Sequence, residues 1–221
     1  MDLVNPEIEA YATEHSSPIG THLKQVASST RAEHADASMM VGRLEGAFLE
    51  MLVHAVGARL VLEIGSFTGY SAISMAAALS EGGRIITCEV DPEHAAFARK
   101  NIAASPFAGR IELREGPAIE TIAGLEGPFD FVFIDADKAS TTEHFAWSLQ
   151  LSHIGTLIVV DNVVRGGKIA DPTTDDPNVR GMQSFVDSLA NEPRVSATAV
   201  QTVGSKGHDG FVLALVTSDD H

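Results

Sequence analysis

Short apolar runs alternate with stretches of helical apolar spacing from about residue 59 to the end of the chain. The runs are nearly continuous, which is typical of strands buried on both faces of a parallel sheet. Five such strand–helix repeats predict a parallel sheet with helices on both sides. The predicted strands are RLVLEIG, RIITCEV, RIELREG, FDFVFIDA and GTLIVVDN.

The two ends of the chain depart from this alternation. The first fifty-odd residues are predicted to be helical, beginning with the cap signal Asn5–Pro6. After a last helix, GMQSFVDSLAN, come two more strands, SATAVQTV and FVLALVT. The stretch 204–210 between them predicts an antiparallel hairpin at a sheet edge.

Composition narrows the class of protein. The chain has 221 residues, 44% hydrophobic and 20% charged, which is typical of one globular domain over residues 1–221. Fifteen basic against 30 acidic residues give a formal charge of −15 and disfavour nucleic-acid and anionic-membrane binding. Cys88 is the only cysteine, which excludes an internal disulfide. With neither a signal-peptide pattern nor a membrane-length apolar run, we expect a cytoplasmic protein.

Carboxylates concentrate where the predicted strands end. In such sheets ligands bind beyond the carboxyl ends of the strands. Four of the five strand exits carry an acidic residue, and only the exit at Gly116 does not. The acidic exits are Glu63–Gly65, Glu89, Asp135–Lys138 and Asp161–Asn162.

The first exit, EIGSFTG, is a strand-to-helix turn with glycines at 65 and 69. It does not fit the dinucleotide pattern G-x-G-x-x-G, because Phe67 and Tyr70 occupy the other glycine positions. Glu89, at the next exit, is placed to accept hydrogen bonds from both hydroxyls of a ribose. The pair indicates a nucleoside without a pyrophosphate, and a tight turn without a ligand is the alternative.

Five separated motifs then occur in order: VLEIGSFTGYSAISMA, CEVDPEHAAFA, EGPA, DFVFIDADK and VVDN. With them the sequence resembles the small cation-dependent O-methyltransferases of the caffeoyl-coenzyme A and catechol type, over roughly residues 35–216. The resemblance implies the α/β class I methyltransferase fold, a Rossmann-like three-layer sandwich. Its seven-stranded sheet is mostly parallel, with an antiparallel last strand, and its methyl donor is S-adenosylmethionine.

The resemblance also assigns residues to the methyl donor. Those at the methionine end are Glu63, Gly65, Phe67 and Ser71, with Asp135 as a further contact. Glu89 would hold the ribose, Pro117 and Ala118 would lie beside the adenine, and Met39 and Val41 of the segment SMMVG would also contact the cofactor.

The fourth and fifth exits predict a metal site. Neighbouring strands lie about 5 Å apart, so the side chains of Asp135, Asp161 and Asn162 can converge on one ion. Two carboxylates and an amide oxygen suit Mg²⁺, Mn²⁺ or Ca²⁺ and not zinc. The family uses the matching positions as metal ligands. It also places a proposed general base at Lys138, for which the alternative is a solvated surface lysine.

These assignments predict an enzyme that moves a methyl group from S-adenosylmethionine to a hydroxyl of a catechol-like small molecule. Methylation of a hydroxylated tRNA nucleoside is an alternative that the acidity disfavours. A non-catalytic S-adenosylmethionine-binding scaffold is another, which the intact set of acidic residues and Lys138 disfavours. Asp137 replaces an aromatic residue of catechol-specific relatives, and Arg165 replaces a tryptophan of plant coenzyme A relatives. The polar stretch 166–181 is predicted to be a mobile loop over the acceptor.

The leading segment, residues 1–37, lies outside these motifs yet carries apolar residues at helical spacing. They are Ile8, Tyr11, Ile19, Leu23 and Val26. An amphipathic helix must bury such a face. It either packs on its own domain or crosses a two-fold axis and closes the acceptor pocket, as in homodimeric members of the family. We predict a homodimer with this lid. His144 is not assigned to the site, which it would approach only if its helix points inward.

Overall fold

A computed structural model describes residues 5–219, so the predicted leading segment begins outside the described residues. The strands are β1 (Leu60–Ile64), β2 (Arg84–Glu89), β3 (Ile111–Glu115), β4 (Phe129–Ile134), β5 (Ser152–Asp161), β6 (Val195–Gly204) and β7 (Gly207–Val216). The helices are α1 (Pro6–Glu14), α2 (Thr21–Glu33), α3 (Arg43–Ala55), α4 (Tyr70–Ala76), α5 (Pro92–Ala104), α6 (Ala118–Ile122), α7 (Thr141–Gln150) and α8 (Pro177–Leu189).

The seven strands form one sheet in the order β3-β2-β1-β4-β5-β7-β6. β1 to β5 pair in parallel, and β7 runs antiparallel to both of its neighbours, β5 and β6. This confirms the predicted fold class. The strand order reverses between β1 and β4, which is where an open α/β sheet forms a crevice for ligands.

Two apolar clusters cover the two faces of the sheet. Side chains of β4 alternate between them: Phe131 and Phe133 pack with α2 to α5, while Val132 and Ile134 pack with α6 to α8. The alternation follows from the two-residue period of a strand. Cys88 is buried in the second cluster, and burial raises the pKa of its thiol to about 12, so it is a core residue and no nucleophile.

Three predicted boundaries were wrong. β5 begins at Ser152 and not at residue 155. α8 begins at Pro177, because the Asp176 side chain accepts a hydrogen bond from the Asn178 N–H and caps it, so the predicted loop 166–181 is shorter. Only Ser205 and Lys206 separate β6 from β7, where a seven-residue connection was predicted.

The leading segment divides into two parts. In α2, Leu23 and Val26 are buried in the first cluster, and Ile19, which precedes the helix, packs against the same cluster. In α1 no residue is buried, and Ile8 and Tyr11 are 67% and 65% exposed. The apolar face of α2 therefore packs on its own domain, whereas that of α1 does not.

Across residues 5–219, the structure contains no helix with the length and apolar character needed to cross a membrane.

Candidate active site

A cleft of about 1810 Å³ opens at the carboxyl ends of the parallel strands. Every residue that the sequence analysis assigned to the site lines this cleft, with the exception of Glu63. Those that line it are Met39, Val41, Gly65, Phe67, Ser71, Glu89, Pro117, Ala118, Asp135, Lys138, Asp161 and Asn162.

The turn after β1 lies against the turn after β4. Gly65 has a φ of +98°, and a Cβ there would collide with the carbonyl group of Asp135. The Asp135 N–H in turn donates to the Ile64 carbonyl at 2.9 Å. Only glycine fits this position, because it tolerates a positive φ and has no side chain. The glycine thus brings the cofactor turn and the first predicted metal ligand together.

Glu89 organises the same turn from β2. One carboxylate oxygen, Oε2, accepts from the backbone N–H groups of Ser66 (3.2 Å) and Phe67 (2.7 Å). The other, Oε1, accepts from the Asp91 N–H at 3.0 Å. A carboxylate has about four acceptor positions, so capacity remains for a ligand hydroxyl. Glu89 therefore lines the cleft and also holds the turn at Ser66 and Phe67 in place.

Glu63 lies beneath the cleft and not in its wall. Its side chain is fully buried, and Oε2 accepts from the Thr87 hydroxyl at 2.5 Å. Burial raises its pKa to about 7, although the hydroxyls of Ser71 and Thr87 oppose the change. Its Oε1 is buried without a hydrogen-bond partner among the described residues. Its direct contact with cofactor stays a prediction, while Ser71, which does line the cleft, connects it to the site.

The acidic ends of β4 and β5 are neighbours. Ile134 pairs with Val160 across the two strands, so Asp135 and Asp161, the next residues, leave the sheet side by side. Burial raises the pKa of Asp161 well above its usual range, with further contributions from the charges of Asp135 and Glu45. A carboxylate pair of this kind is stabilised by a cation.

Asn162 completes this donor set. It adopts a left-handed conformation with a φ of 62°, and its Nδ2 donates to Asp161 Oδ2 at 3.0 Å. Two carboxylates and an amide fit a hard divalent cation. Glu45, which adds a third nearby carboxylate charge, was missed by the sequence analysis. It lies in the first turn of α3, far from any strand end, and the sequence carries no signal for it.

Lys138 is not a solvated surface residue. It is 8% exposed, and its Nζ donates to Asp135 Oδ1 at 2.7 Å. The neighbouring Asp137 has a different role, because its Oδ2 accepts from the N–H and the hydroxyl of Ser140 and caps the short helical turn that carries the lysine. The structure thus holds the ammonium group against a predicted metal ligand.

His144 of α7 lies at the cleft, because α7 turns this residue inward. Its side chain is buried and lines the cleft, and burial lowers the pKa of its imidazole. Nδ1 is buried without a hydrogen-bond partner among the residues described.

The mouth of the cleft includes parts of the chain that the sequence did not point to. Ile8 and Glu9 of α1 line it, together with the turn between β6 and β7. The Glu9 carboxylate accepts from the N–H and the hydroxyl of Ser205 in that turn. The Lys206 ammonium donates to the Met40 carbonyl at 2.6 Å. The first of these contacts joins residues 196 positions apart and the second joins residues 166 positions apart, which no local pattern can indicate.

Comparison with known proteins agrees with this geometry. The family described as O-methyltransferase matches residues 13–216. The chain is 44% identical to a catechol O-methyltransferase of Niastella koreensis over 194 residues, 86% of this chain and 88% of the relative. It is 39% identical to a catechol O-methyltransferase of Mycobacterium tuberculosis over 213 residues, 96% of each chain.

Solved structures give the same result. An O-methyltransferase of Bacillus cereus in complex with SAH superposes with a TM-score of 0.92 at 43% identity, covering 96% of this chain and 97% of the other. TomG of Streptomyces achromogenes, an O-methyltransferase involved in tomaymycin synthesis and solved with SAM, has a TM-score of 0.91 at 38% identity, covering 96% of each chain. The strand order, the cleft and these likenesses agree: the chain belongs to the family of S-adenosylmethionine-dependent O-methyltransferases of the catechol and caffeoyl-coenzyme A type.

Proposed function

We propose that this enzyme methylates a hydroxyl of a catechol-like small molecule and that it requires a divalent cation for this reaction. The observation that carries the proposal is the joining of three features in one cleft. The turn held by Glu89 offers a nucleoside site, Asp135 and Asp161 leave neighbouring strands side by side, and the Lys138 ammonium contacts Asp135.

Asp135, Asp161 and Asn162 would hold the cation, most suitably Mg²⁺, with Mn²⁺ or Ca²⁺ as substitutes. When bound, it supplies positive charge that favours the ionised form of an acceptor hydroxyl. The pKa of Asp161 lies well above its usual range, because burial and the Asp135 and Glu45 charges outweigh the opposing charge of Lys138. The ion would therefore stabilise the ligands as well as the acceptor.

Lys138 is the proposed proton acceptor. In the reaction a bond forms between the acceptor oxygen and the methyl carbon, the bond from that carbon to sulfur breaks, and the hydroxyl proton leaves. The Lys138 side chain can take this proton only as a neutral amine, so its ammonium, now paired with Asp135 Oδ1 at 2.7 Å, must first release a proton to solvent. If Asp135 held the cation, its carboxylate would be less available to Nζ, and Lys138 would be free to face the acceptor.

His144 would orient the acceptor. Its unpartnered Nδ1 is the kind of group that pairs with a polar substituent on the ring, because a buried polar atom without a partner is costly. The adjacent Asp137 is engaged with Ser140 and leaves no aromatic wall at its position. We therefore propose acceptors that carry a polar substituent beside the adjacent hydroxyls.

We further propose that the enzyme is a homodimer in which α1 contributes to closing the acceptor end of the cleft. Ile8 and Tyr11 leave an apolar face exposed on α1, and Ile8 also borders the cleft mouth. A second copy that covers this face would bury it and narrow the mouth.

The acceptor proposal is tested by a methyl-transfer screen over catechols, hydroxycinnamates, flavonoids and tRNA that carries the hydroxylated nucleoside, each with Mg²⁺ and with EDTA. We expect transfer to compounds with two adjacent hydroxyls and none to their mono-hydroxylated matches. Lys138→Ala should remove this transfer, whereas Lys100→Ala, which removes an exposed lysine paired with Glu33, should retain it. Transfer to tRNA alone would contradict the proposal.

A further inference from the structure

A second group of metal-ligating side chains, which the proposed reaction does not use, lies beside the cleft, and one of its members, His94, lines the cleft. His34 ends α2, Asp36 follows two residues later, and His94 lies in the first turn of α5. One ligand atom from each lies within 4.8 Å of the others. Residues about 60 positions apart in the sequence thus converge on one point.

The two imidazoles are held by aromatic neighbours. Their ring centroids lie 4.8 Å apart, and the Phe67 ring packs edge-on against both, at 4.9 Å from His34 and 4.8 Å from His94. The His34 Nδ1 accepts a long hydrogen bond of 3.3 Å from the Asp36 N–H. Its Nε2 is buried without a hydrogen-bond partner among the described residues. Each of the rings therefore has a fixed position, and one has a nitrogen without a partner.

Negative charge surrounds this group. Glu89 Oε1 lies 3.7 Å from His94 Nδ1. A second carboxylate is close by, because Asp91 Oδ1 accepts from the backbone N–H groups of Glu93 at 2.8 Å and His94 at 3.1 Å. Carboxylates on this side of the cleft favour a cation near the two rings.

We propose that His34, Asp36 and His94 bind a divalent transition-metal ion, with Zn²⁺ as the best match, at a site separate from that of Asp135 and Asp161. Two imidazoles and one carboxylate are a nitrogen-rich set that zinc prefers and Mg²⁺ does not. Zinc bonds to such ligands are about 2.0–2.2 Å long, so the three side chains must draw together. Asp36, which is exposed, has the freedom to do so.

An ion at this position would link two walls of the cleft. The segment after α2 leads to Met39, and the start of α5 follows Glu89 and Asp91, all of which line the cleft. Since the ion would bind the folded chain and join two distant parts of it, it should also raise the melting temperature.

The test is a calorimetric titration of the full-length protein with ZnCl₂ in excess Mg²⁺. It uses the Asp161→Ala background, so that the acidic site of β4 and β5 contributes no zinc binding. We expect one saturable Zn²⁺ site and a higher melting temperature. His34→Ala and His94→Ala should each weaken zinc binding by at least about tenfold, the lower range for disturbing a metal site. His54→Ala, which removes an exposed imidazole of α3, should leave it unchanged.

Asp36→Asn is a site variant that should keep the fold, because this side chain is exposed and contributes nothing to the core. It should weaken zinc binding while the circular dichroism spectrum and the cofactor affinity stay as in the parent. Absorption of the Co²⁺-substituted protein should likewise change in Asp36→Asn and not in His54→Ala. Zinc affinity that is unchanged in all three site variants, or no saturable binding in the parent, would overturn the proposal.

Discussion

Two glutamates beside the cleft differ in what surrounds their carboxylates. Glu89 accepts hydrogen bonds from three backbone N–H groups at the wall of the cleft. Glu63 receives one hydroxyl in full burial, and its pKa rises to about 7. The first residue therefore organises the cofactor turn through its hydrogen bonds, and the second can be neutral near physiological pH.

Replacing Glu89 with alanine should weaken S-adenosylmethionine binding by roughly tenfold or more. Lost hydrogen bonds to ligand hydroxyls cost about 1–3 kcal/mol, and 1.4 kcal/mol is a factor of ten. The variant also removes the carboxylate that accepts hydrogen bonds from the backbone N–H groups of Ser66 and Phe67. Calorimetry measures the affinity, with Glu115→Ala, at the end of the adjacent strand β3, as the control. Equal affinities in the two variants would show that Glu89 is only a strand end.

Glu63→Gln should become relatively more stable than the parent as the pH rises. The native pKa of about 7 exceeds the ordinary value of 4.5, so between these values the native state keeps a proton that the unfolded state has lost. The parent thus loses stability from about pH 4.5 to about pH 7, by about 3 kcal/mol at most, and the neutral amide avoids this loss.

Urea unfolding of the cofactor-free proteins at about pH 5 and about pH 8 measures this difference. Glu126→Gln, at an exposed position before β4, is the control and should follow the parent at both pH values. A difference between Glu63→Gln and the parent that does not change with pH would mean that Glu63 ionises normally.

At the residue scale, the sequence predicted the strand-end residues well and the rest poorly. Parallel strands end at one edge of the sheet, so Glu89, Asp135 and Asp161 had to meet there. Glu45 and the contact between Glu9 and Ser205 depend on how distant elements pack. No periodicity or spacing in the sequence carries that information.

At the scale of elements, the apolar parts of strands were predicted better than their polar starts. The apolar runs of β1 and β4 stand out from their surroundings, but the start of β7 at His208, Asp209 and Gly210 is polar and was taken for a loop. Pairing with β6 in continuous register, from Val195–Val216 to Gly204–Gly207, makes it a strand. Cross-strand pairing can override local polarity.

One close contact between elements positions the proposed base. A Cβ on Gly181 of α8 would collide with the carbonyl of Lys138 and the backbone of Ala139. Gly181→Ala should therefore displace the short helical turn that carries the lysine and lower kcat by tenfold or more, on the expectation that a shift of about 1 Å costs up to 100-fold. Affinity for S-adenosylmethionine should stay the same.

Steady-state kinetics and calorimetry separate these two effects. Gly109→Ala, at a position where a Cβ would meet no atom within 4 Å, is the matched control and should behave as the parent. An unchanged kcat in Gly181→Ala would show that the contact with α8 does not position Lys138.

At the scale of the whole molecule, the two helices of the leading segment differ in how they pack. α2 belongs to the core, with Leu23 and Val26 buried, so its apolar spacing is explained within one chain. α1 keeps Ile8 and Tyr11 exposed while its Glu9 is attached to the turn after β6. An exposed apolar face beside a cleft mouth is what a second copy would cover.

The double variant Ile8→Ser, Tyr11→Ser should be monomeric where the parent is a dimer, because it removes the apolar face of α1. We expect a higher KM for the acceptor and an unchanged affinity for S-adenosylmethionine, since the turns at β1 and β2 are remote from α1. Light scattering measures the mass. Ile154→Ser, an exposed apolar residue near the start of β5, is the control. A parent that is monomeric at micromolar concentration would refute the dimer.

The central claim is that Asp135, Asp161 and Asn162 hold a divalent cation on which methyl transfer to the acceptor depends. The most direct measurement is transfer to a catechol by the chelated enzyme as Mg²⁺ is added back, with Asp161→Ala beside it. We predict no transfer after chelation, recovery that saturates with Mg²⁺ in the parent, and no recovery in Asp161→Ala, although that variant keeps its fold and binds S-adenosylmethionine. Full activity of the parent after exhaustive chelation would contradict the claim.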